Sequence, residues 1–132
     1  MAVNTLIQGV DDLRQYGGRI VVVLCTNRLS ALDPALRRRA AVIESFARPS
    51  NEERLELFTM DLKGLDLTAK QLQQLVEATG AIGEVPAWTY SDIRTRLYPA
   101  ALARVYPADP LAFSDLLTIA KTLQASPVME DR

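Results

Sequence analysis

Two short polar stretches contain the residues of this sequence that could do chemistry. Thr26 and Asn27 follow directly after an apolar run at 20–25, and three consecutive arginines, Arg37, Arg38 and Arg39, come a short distance further on. An asparagine amide can accept a hydrogen bond from water and donate one to an anion. Arginine presents a planar fork of donors that matches phosphate oxygens. The amide could therefore position an attacking water, and the arginines could contact a phosphate. The alternatives are an Asn27 that satisfies turn backbone groups and a solvated basic turn.

The apolar run at 20–25, Ile-Val-Val-Val-Leu-Cys, predicts a strand that is covered on both faces, as in the parallel sheets of α/β proteins. Ligands of such sheets lie beyond the carboxyl ends of the strands, where Thr26 and Asn27 would stand. Cys25 is expected to be a small buried hydrophobic residue. A second strand is predicted at 41–46. Two strands cannot cover themselves, so further strands must come from another chain or from a longer protein.

The helices of the first part are marked by periodicity and by helix-start signals. Apolar residues at 3, 6, 7 and 10 predict an amphipathic helix that ends at Gly17-Gly18. Asp33-Pro34 predicts the start of a short helix, because proline is tolerated in the first turn and aspartate can cap it.

After Arg48-Pro49 the sequence pattern becomes helical, and four helices are predicted there. The first two begin at the capping boxes formed by Ser50 with Glu53 and by Thr68 with Gln71. A third helix is predicted to begin at Thr89 or Ser91, and Pro99 is expected to kink or interrupt it. A fourth helix is capped by Ser114, and the tail from Gln124 is expected to be frayed. The aromatic residues Trp88, Tyr90 and Tyr98 are expected to lie in a core or an interface.

Composition narrows the classes of function. The 132 residues are 48% hydrophobic and 23% charged, as in one ordinary globular domain. Fifteen basic and sixteen acidic residues leave a net charge of −1, which argues against nucleic-acid binding through bulk charge. The absence of histidine excludes histidine-based acid–base catalysis. A single cysteine and the lack of any long apolar stretch predict a cytoplasmic chain that does not insert in a membrane.

The order of these elements resembles the AAA+ ATPase family along nearly the whole chain. The stretch 3–13 resembles the helix after the Walker B strand, and 22–28, Val-Val-Leu-Cys-Thr-Asn-Arg, resembles the sensor 1 strand. The stretch 32–39, Leu-Asp-Pro-Ala-Leu-Arg-Arg-Arg, resembles the arginine-finger segment. The stretch 48–54 resembles the entry into the four-helix lid, and Ser91, Asp92, Ile93 and Arg94 fall where the sensor 2 helix begins.

The resemblance implies a fold and a set of site residues. It divides the chain into residues 1–48, the C-terminal part of the large αβα subdomain with a partial parallel sheet, and residues 49–132, the small all-α four-helix lid. Asn27 would be the sensor 1 residue, and Arg38 and Arg39 the arginine fingers acting in trans. Arg38 best matches the first finger position, Arg39 is the alternative for it, and Arg37 is a further candidate. Arg94, Ser91 and Asp92 would be the sensor 2 region, although Asp92 could equally cap its helix.

Two family motifs are absent from this sequence. It contains no Gly-x-x-x-x-Gly-Lys-Ser/Thr P-loop and no strand that ends in Asp-Glu. The expectation is therefore a C-terminal fragment of an ATPase that uses ATP and Mg²⁺ when complete, whereas this chain alone has no cofactor and no turnover. The family implies a homo-oligomeric ring, a hexamer, that remodels a protein substrate. The alternative is a non-catalytic protein-interaction or oligomerisation module.

Overall fold

The computed structural model describes residues 2–128, and these fall into two compact units. The first contains residues 2–45 and the second is Phe46–Val128. Both units are built from helices and loops. Within residues 2–128 the only β-type pairing is an isolated antiparallel bridge between Ile82 and Val85.

The first unit contains two helices, and both begin and end where the sequence predicts. Helix α1 (Ala2–Leu13) continues into a 3-10 turn at Arg14–Tyr16. Gly17 then adopts a left-handed conformation with φ 57°, which ends the helix because residues with a Cβ atom rarely adopt it. A second 3-10 turn at Leu29–Ala31 leads to helix α2 (Pro34–Arg39).

The two predicted strands are not formed in the described residues, so the expected α/β part is not confirmed. Residues 20–25 and 42–46 are irregular, and Val21 and Phe46 are 81% and 93% exposed. Cys25 is exposed as well, so its predicted burial is wrong for this chain. A strand needs a hydrogen-bonded neighbour and a covering layer, and the described part of the chain supplies neither for these apolar runs.

The second unit is a helical bundle. Its elements are α3 (Asn51–Asp61), a 3-10 turn at Lys63–Leu65, α4 (Ala69–Ala78), a continuous helical stretch made of α5 (Tyr90–Asp92), a π-helix (Ile93–Leu97) and α6 (Tyr98–Val105), and α7 (Phe113–Thr122). Both predicted capping boxes are present. The bundle core is built from fully buried side chains of all four helical stretches, among them Phe58, Leu75, Ile93, Leu97 and Leu116.

The third helical stretch shows how proline is accommodated. Thr89 is its N-cap, one of the two predicted starts, and forms a capping box with Asp92. Pro99 has no N–H to donate to the preceding turn, and the backbone widens into the π-helix Ile93–Leu97 immediately before it. The fourth helix differs from prediction, because its N-cap is Ala112 and Ser114 lies inside the first turn.

Candidate functional site

Asn27 lies at an exposed bend that follows the apolar run. The Thr26 Oγ1 atom accepts a hydrogen bond from the Arg28 backbone N at 3.0 Å, which is a side-chain-stabilised turn of the type that threonine favours. Asn27 is the middle residue of this turn, between the acceptor Thr26 and the donor Arg28. Thr26 therefore has a structural role in presenting Asn27.

Helix α2 presents the three arginines in its last turn. Asp33 begins the helix, since its Oδ1 atom accepts a hydrogen bond from Ala35 N at 2.8 Å, and Pro34 occupies the first turn as predicted. Leu36 is 6% exposed and is the buried residue of the helix. This anchor and the N-terminal cap are what hold so short a helix, because an isolated six-residue helix is not stable.

The three arginines have different environments. Arg39 donates from Nε and Nη2 to the two carboxylate oxygens of Asp11, at 3.1 and 3.3 Å, and from Nη1 to Ala35 O at 3.0 Å. The Arg39 guanidinium lowers the pKa of Asp11. Arg38 is exposed, and within residues 2–128 its one hydrogen bond is a long one of 3.4 Å to Pro34 O in its own helix. Arg37 is half-buried.

The predicted sensor 2 residues lie in the second unit and are engaged in structural contacts. Asp92 is 3% exposed, and its carboxylate accepts bonds from Thr89 N (3.1 Å), Ser126 N (3.0 Å) and Ser126 Oγ (2.9 Å). Arg96 Nη1 approaches its other oxygen at 3.2 Å. Burial acts to raise the pKa of Asp92, but these hydrogen bonds together lower it. Asp92 thus caps its helix and holds the tail.

Arg94 is held by a bidentate ion pair with Asp61 of α3. Its Nε and Nη2 atoms lie 2.9 and 2.8 Å from the two carboxylate oxygens, and the Tyr98 hydroxyl donates to the same carboxylate at 3.1 Å. The hydrogen bond from Arg94 lowers the pKa of Asp61. Ser91 is exposed, and its carbonyl accepts a bond from Thr95 Oγ1 at 2.6 Å. A phosphate contact by Arg94 or Ser91 remains a prediction.

Sequence reasoning missed the most buried charged residue of the second unit, Arg54. This side chain is 1% exposed and donates to Pro49 O (2.8 Å), Val76 O (3.2 Å), Thr79 Oγ1 (3.2 Å) and Asn51 Oδ1. Desolvation lowers its pKa. Arg54 joins the start of α3 to the C-terminal end of α4, where carbonyl groups attract a cation. Its position on α3 gave no sequence signal for burial.

The predicted frayed tail is wrong for residues 124–128. Besides the Ser126–Asp92 contacts, Arg48 donates to Ala87 O at 2.8 Å and to Pro127 O at 3.0 Å. Ala125 packs against the core. These bonds join residues far apart in the chain, so no local pattern could have revealed them.

An open groove of about 520 Å³ lies between the C-terminal ends of α4 and α7. Its lining is mainly apolar and includes Val85, Trp88, Leu117 and Ala120. Its lining also includes Gln74, Lys121 and Gln124, and one basic side chain falls short of the several charged donors that converge in a phosphate site. In the described residues no cluster of acidic or cysteine side chains could hold a metal ion, and no helix has the length and apolarity to cross a membrane.

Comparison with known proteins gives relatives along nearly the whole chain, whereas no protein-family model matches. The chain is 62% identical over 131 residues to the CD-NTase-associated protein 6 of Escherichia coli strain KTE188, covering 99% of this chain and 44% of that protein. A putative 26S proteasome regulatory subunit homolog of Methanocaldococcus jannaschii is 31% identical over 108 residues, covering 81% of this chain and 27% of that protein. The chain thus spans less than half the length of these curated relatives.

Two solved structures share the fold. A chain of the E. coli MS115-1 HORMA:CdnC:Trip13 complex superposes with a TM-score of 0.89 at 36% identity, covering 97% of this chain and 43% of that one. The structure of Rhizobiales Trip13 matches with a TM-score of 0.81 at 37% identity, covering 95% of this chain and 47% of that one. Trip13 is an AAA+ ATPase. The chain therefore has the fold of part of an AAA+ ATPase.

Proposed function

We propose that this chain is the C-terminal part of an AAA+ ATPase module that couples ATP hydrolysis to the remodelling of a protein substrate. The main support is the extent of the structural likeness to Trip13 chains, since it covers 97% and 95% of this chain at more than one third sequence identity. In this proposal residues 1–48 belong to the large subdomain and residues 49–132 form the lid.

Asn27 acts on the nucleotide of its own subunit. Hydrolysis of a nucleoside triphosphate depends on positioning a water molecule and neutralising charge on the γ-phosphate. An amide at the apex of the Thr26-stabilised turn suits the first task, because Oδ1 can accept from the attacking water while Nδ2 donates to an anionic oxygen. The exposed position of Asn27 is compatible with this role.

Arg38 acts on the nucleotide of a neighbouring subunit. An arginine that reaches a γ-phosphate must present its guanidinium outward, and Arg38 is the exposed arginine of α2 that has no carboxylate partner among the described residues. Its planar donors would stabilise the charge that develops on the transferring phosphoryl group. A homo-oligomeric ring, a hexamer in the family that the sequence resembles, brings such an arginine to the next subunit.

ATP and Mg²⁺ are held by parts of the module that lie outside this sequence, since it contains no P-loop and no Walker B acidic pair. When bound, they supply the phosphoryl group and the cation that neutralises it. The described residues contain no carboxylate cluster that would replace those parts. The chain alone is therefore expected to show no ATP turnover.

A protein is the proposed substrate. One structural neighbour is a chain of a complex that contains HORMA, CdnC and Trip13, and by analogy we assign a protein of the HORMA kind as the partner that the assembled ATPase acts on. The non-catalytic interaction module remains the alternative, and the experiment below separates the two.

The test uses the complete protein to which this segment belongs. Asn27→Ala and Arg38→Ala should each leave nucleotide binding intact and lower ATP turnover by about 10²-fold or more, because each removes a group used in the transition state. Asn4→Ala and Arg19→Ala are matched controls, since both residues are exposed. Arg38→Ala subunits should regain turnover when mixed with subunits whose own active site is inactive. Wild-type turnover in both site variants would refute the catalytic proposal in favour of the interaction module.

A further inference from the structure

The ion pair between Asp11 and Arg39 gives Arg39 a contact that the adjacent Arg38 does not have. We propose that Asp11 is a positioning residue that holds Arg39, and through it the last turn of α2, so that Arg38 alone serves as the arginine finger. This inference rests on the proposed function, and it assigns a role to Asp11 that the sequence pattern did not indicate.

Three of the five N–H donors of Arg39 are used within its own unit. Two of its nitrogens bond both oxygens of Asp11, and the third bonds Ala35 O at 3.0 Å. An arginine held in this bidentate way would have to break its bonds to the carboxylate before its Nε–Nη2 edge could bind a phosphate. Arg39 is therefore not positioned to reach a neighbouring subunit.

The contact between Asp11 and Arg39 connects α1 to α2 across 28 positions of sequence. Helix α2 has six residues and one buried side chain, Leu36, so its own hydrogen bonds do not fix its direction. The Asp33 cap holds its N-terminal end. The Asp11 carboxylate restrains the C-terminal end, where Arg38 lies next to Arg39. Without this restraint the last turn can fray and the Arg38 guanidinium is no longer held in one place.

Asp12 provides a matched control. It lies on the same helix, and its Oδ1 atom accepts a bond from Gln8 at 3.0 Å. This partner lies on α1 itself, whereas Asp11 bonds to α2. A substitution at Asp12 changes the charge of the helix by the same amount as one at Asp11 without releasing Arg39.

The experiment measures ATP turnover of the complete, assembled protein at several ATP concentrations, together with its oligomeric state. Asp11→Asn should lower kcat about fivefold with KM changed less than about twofold, because the ion pair orients a group used in the transition state rather than in ATP binding. Asp11→Glu should recover most of the loss, and Asp12→Asn should match the wild type. Arg38→Ala is included as the reference for a lost finger.

Arg39→Lys tests whether Arg38 alone is the finger, and this test does not depend on the folding of any Asp11 variant. A lysine can still pair with Asp11, so turnover should fall less than about fivefold, whereas Arg38→Lys should lose nearly as much as Arg38→Ala, since lysine lacks the planar fork. An Arg39→Lys loss as large as that of Arg38→Lys would overturn the inference.

The remaining outcomes distinguish this inference from the proposed function. If Arg38→Ala abolishes turnover while Asp11→Asn behaves like Asp12→Asn, the Asp11 role is wrong and the proposed function stands. If Arg38→Ala retains full turnover, the proposed finger itself is wrong. A larger effect of Asp11→Asn on KM than on kcat would also overturn the positioning role, because it would place Asp11 in ATP binding.

Discussion

Replacing Arg54 by methionine should destabilise the bundle, although it removes a buried charge. Arg54 is 1% exposed, and burial of its guanidinium is unfavourable, as the lowering of its pKa by desolvation indicates. Replacing both members of a buried polar pair by apolar groups is often neutral. Here only one member is removed, and the acceptors Pro49 O and Val76 O remain inside the protein.

The size of the loss follows from those acceptors. The Pro49 carbonyl loses the hydrogen bond from Arg54 Nη1, which costs about 1–3 kcal/mol for a buried group. Val76 O retains a bond from Thr79 Oγ1 at 3.2 Å and therefore loses less. With the lost charge-assisted bond to Thr79, the Arg54→Met substitution should lower the free energy of unfolding by about 3 kcal/mol. For a domain of the size of the bundle Phe46–Val128, this loss lowers Tm by roughly 12–24 °C.

Urea unfolding of the 132-residue chain, followed by circular dichroism at pH 7, measures this change. Arg104→Met is the matched control, because Arg104 has an exposed side chain and lies 3.8 Å from its partner Asp115, so its loss should cost at most about 1 kcal/mol. Equal midpoints for the Arg54 and Arg104 variants, at unchanged slope, would show that the hydrogen bonds of Arg54 contribute no net stability. The reasoning from orphaned carbonyls would then be wrong.

The other predictions concern two carboxylates of the bundle. The folded pKa of Asp92 lies below its ordinary value of 3.8, so its stabilising effect is present above that value and is lost as pH falls through the folded pKa. Asp92→Asn should therefore lower the urea midpoint at pH 7 and flatten the fall of the midpoint below about pH 4. A midpoint that falls below pH 4 as steeply as in the wild type would contradict the assignment of this pH dependence to Asp92. Burial and the Asp61 carboxylate raise the pKa of Tyr98, so Asp61→Asn should move the ultraviolet titration of Tyr98 to lower pH. The same variant should lower the urea midpoint only slightly, because the Arg94 partner of the ion pair is exposed, and a Tyr98 titration identical to wild type would refute the contact.

Much of the local structure was predictable because its causes lie within a few residues. The Ser50 and Thr68 capping boxes, the Asp33-Pro34 helix start and the stop at Gly17 all depend on contacts between near neighbours in sequence. The buried position of Trp88 was also expected. The apolar run at 20–25 indicated a strand, but strand formation depends on partners that the described residues do not include.

By itself the sequence determined where the helices with a capping box or an Asp-Pro start begin, where glycine ends the first helix, and which polar residues stand next to one another, since capping, glycine conformation and periodicity are local effects. Only the tertiary structure decided how each charge is used. Arg54 is buried, Arg39 is paired with Asp11, and Asp92 holds Ser126, because residues 25 or more positions apart meet in space. Three consecutive arginines are equivalent in the sequence. Their different neighbours in the fold leave Arg38 exposed and without a carboxylate partner among the described residues, whereas Arg39 is paired with Asp11.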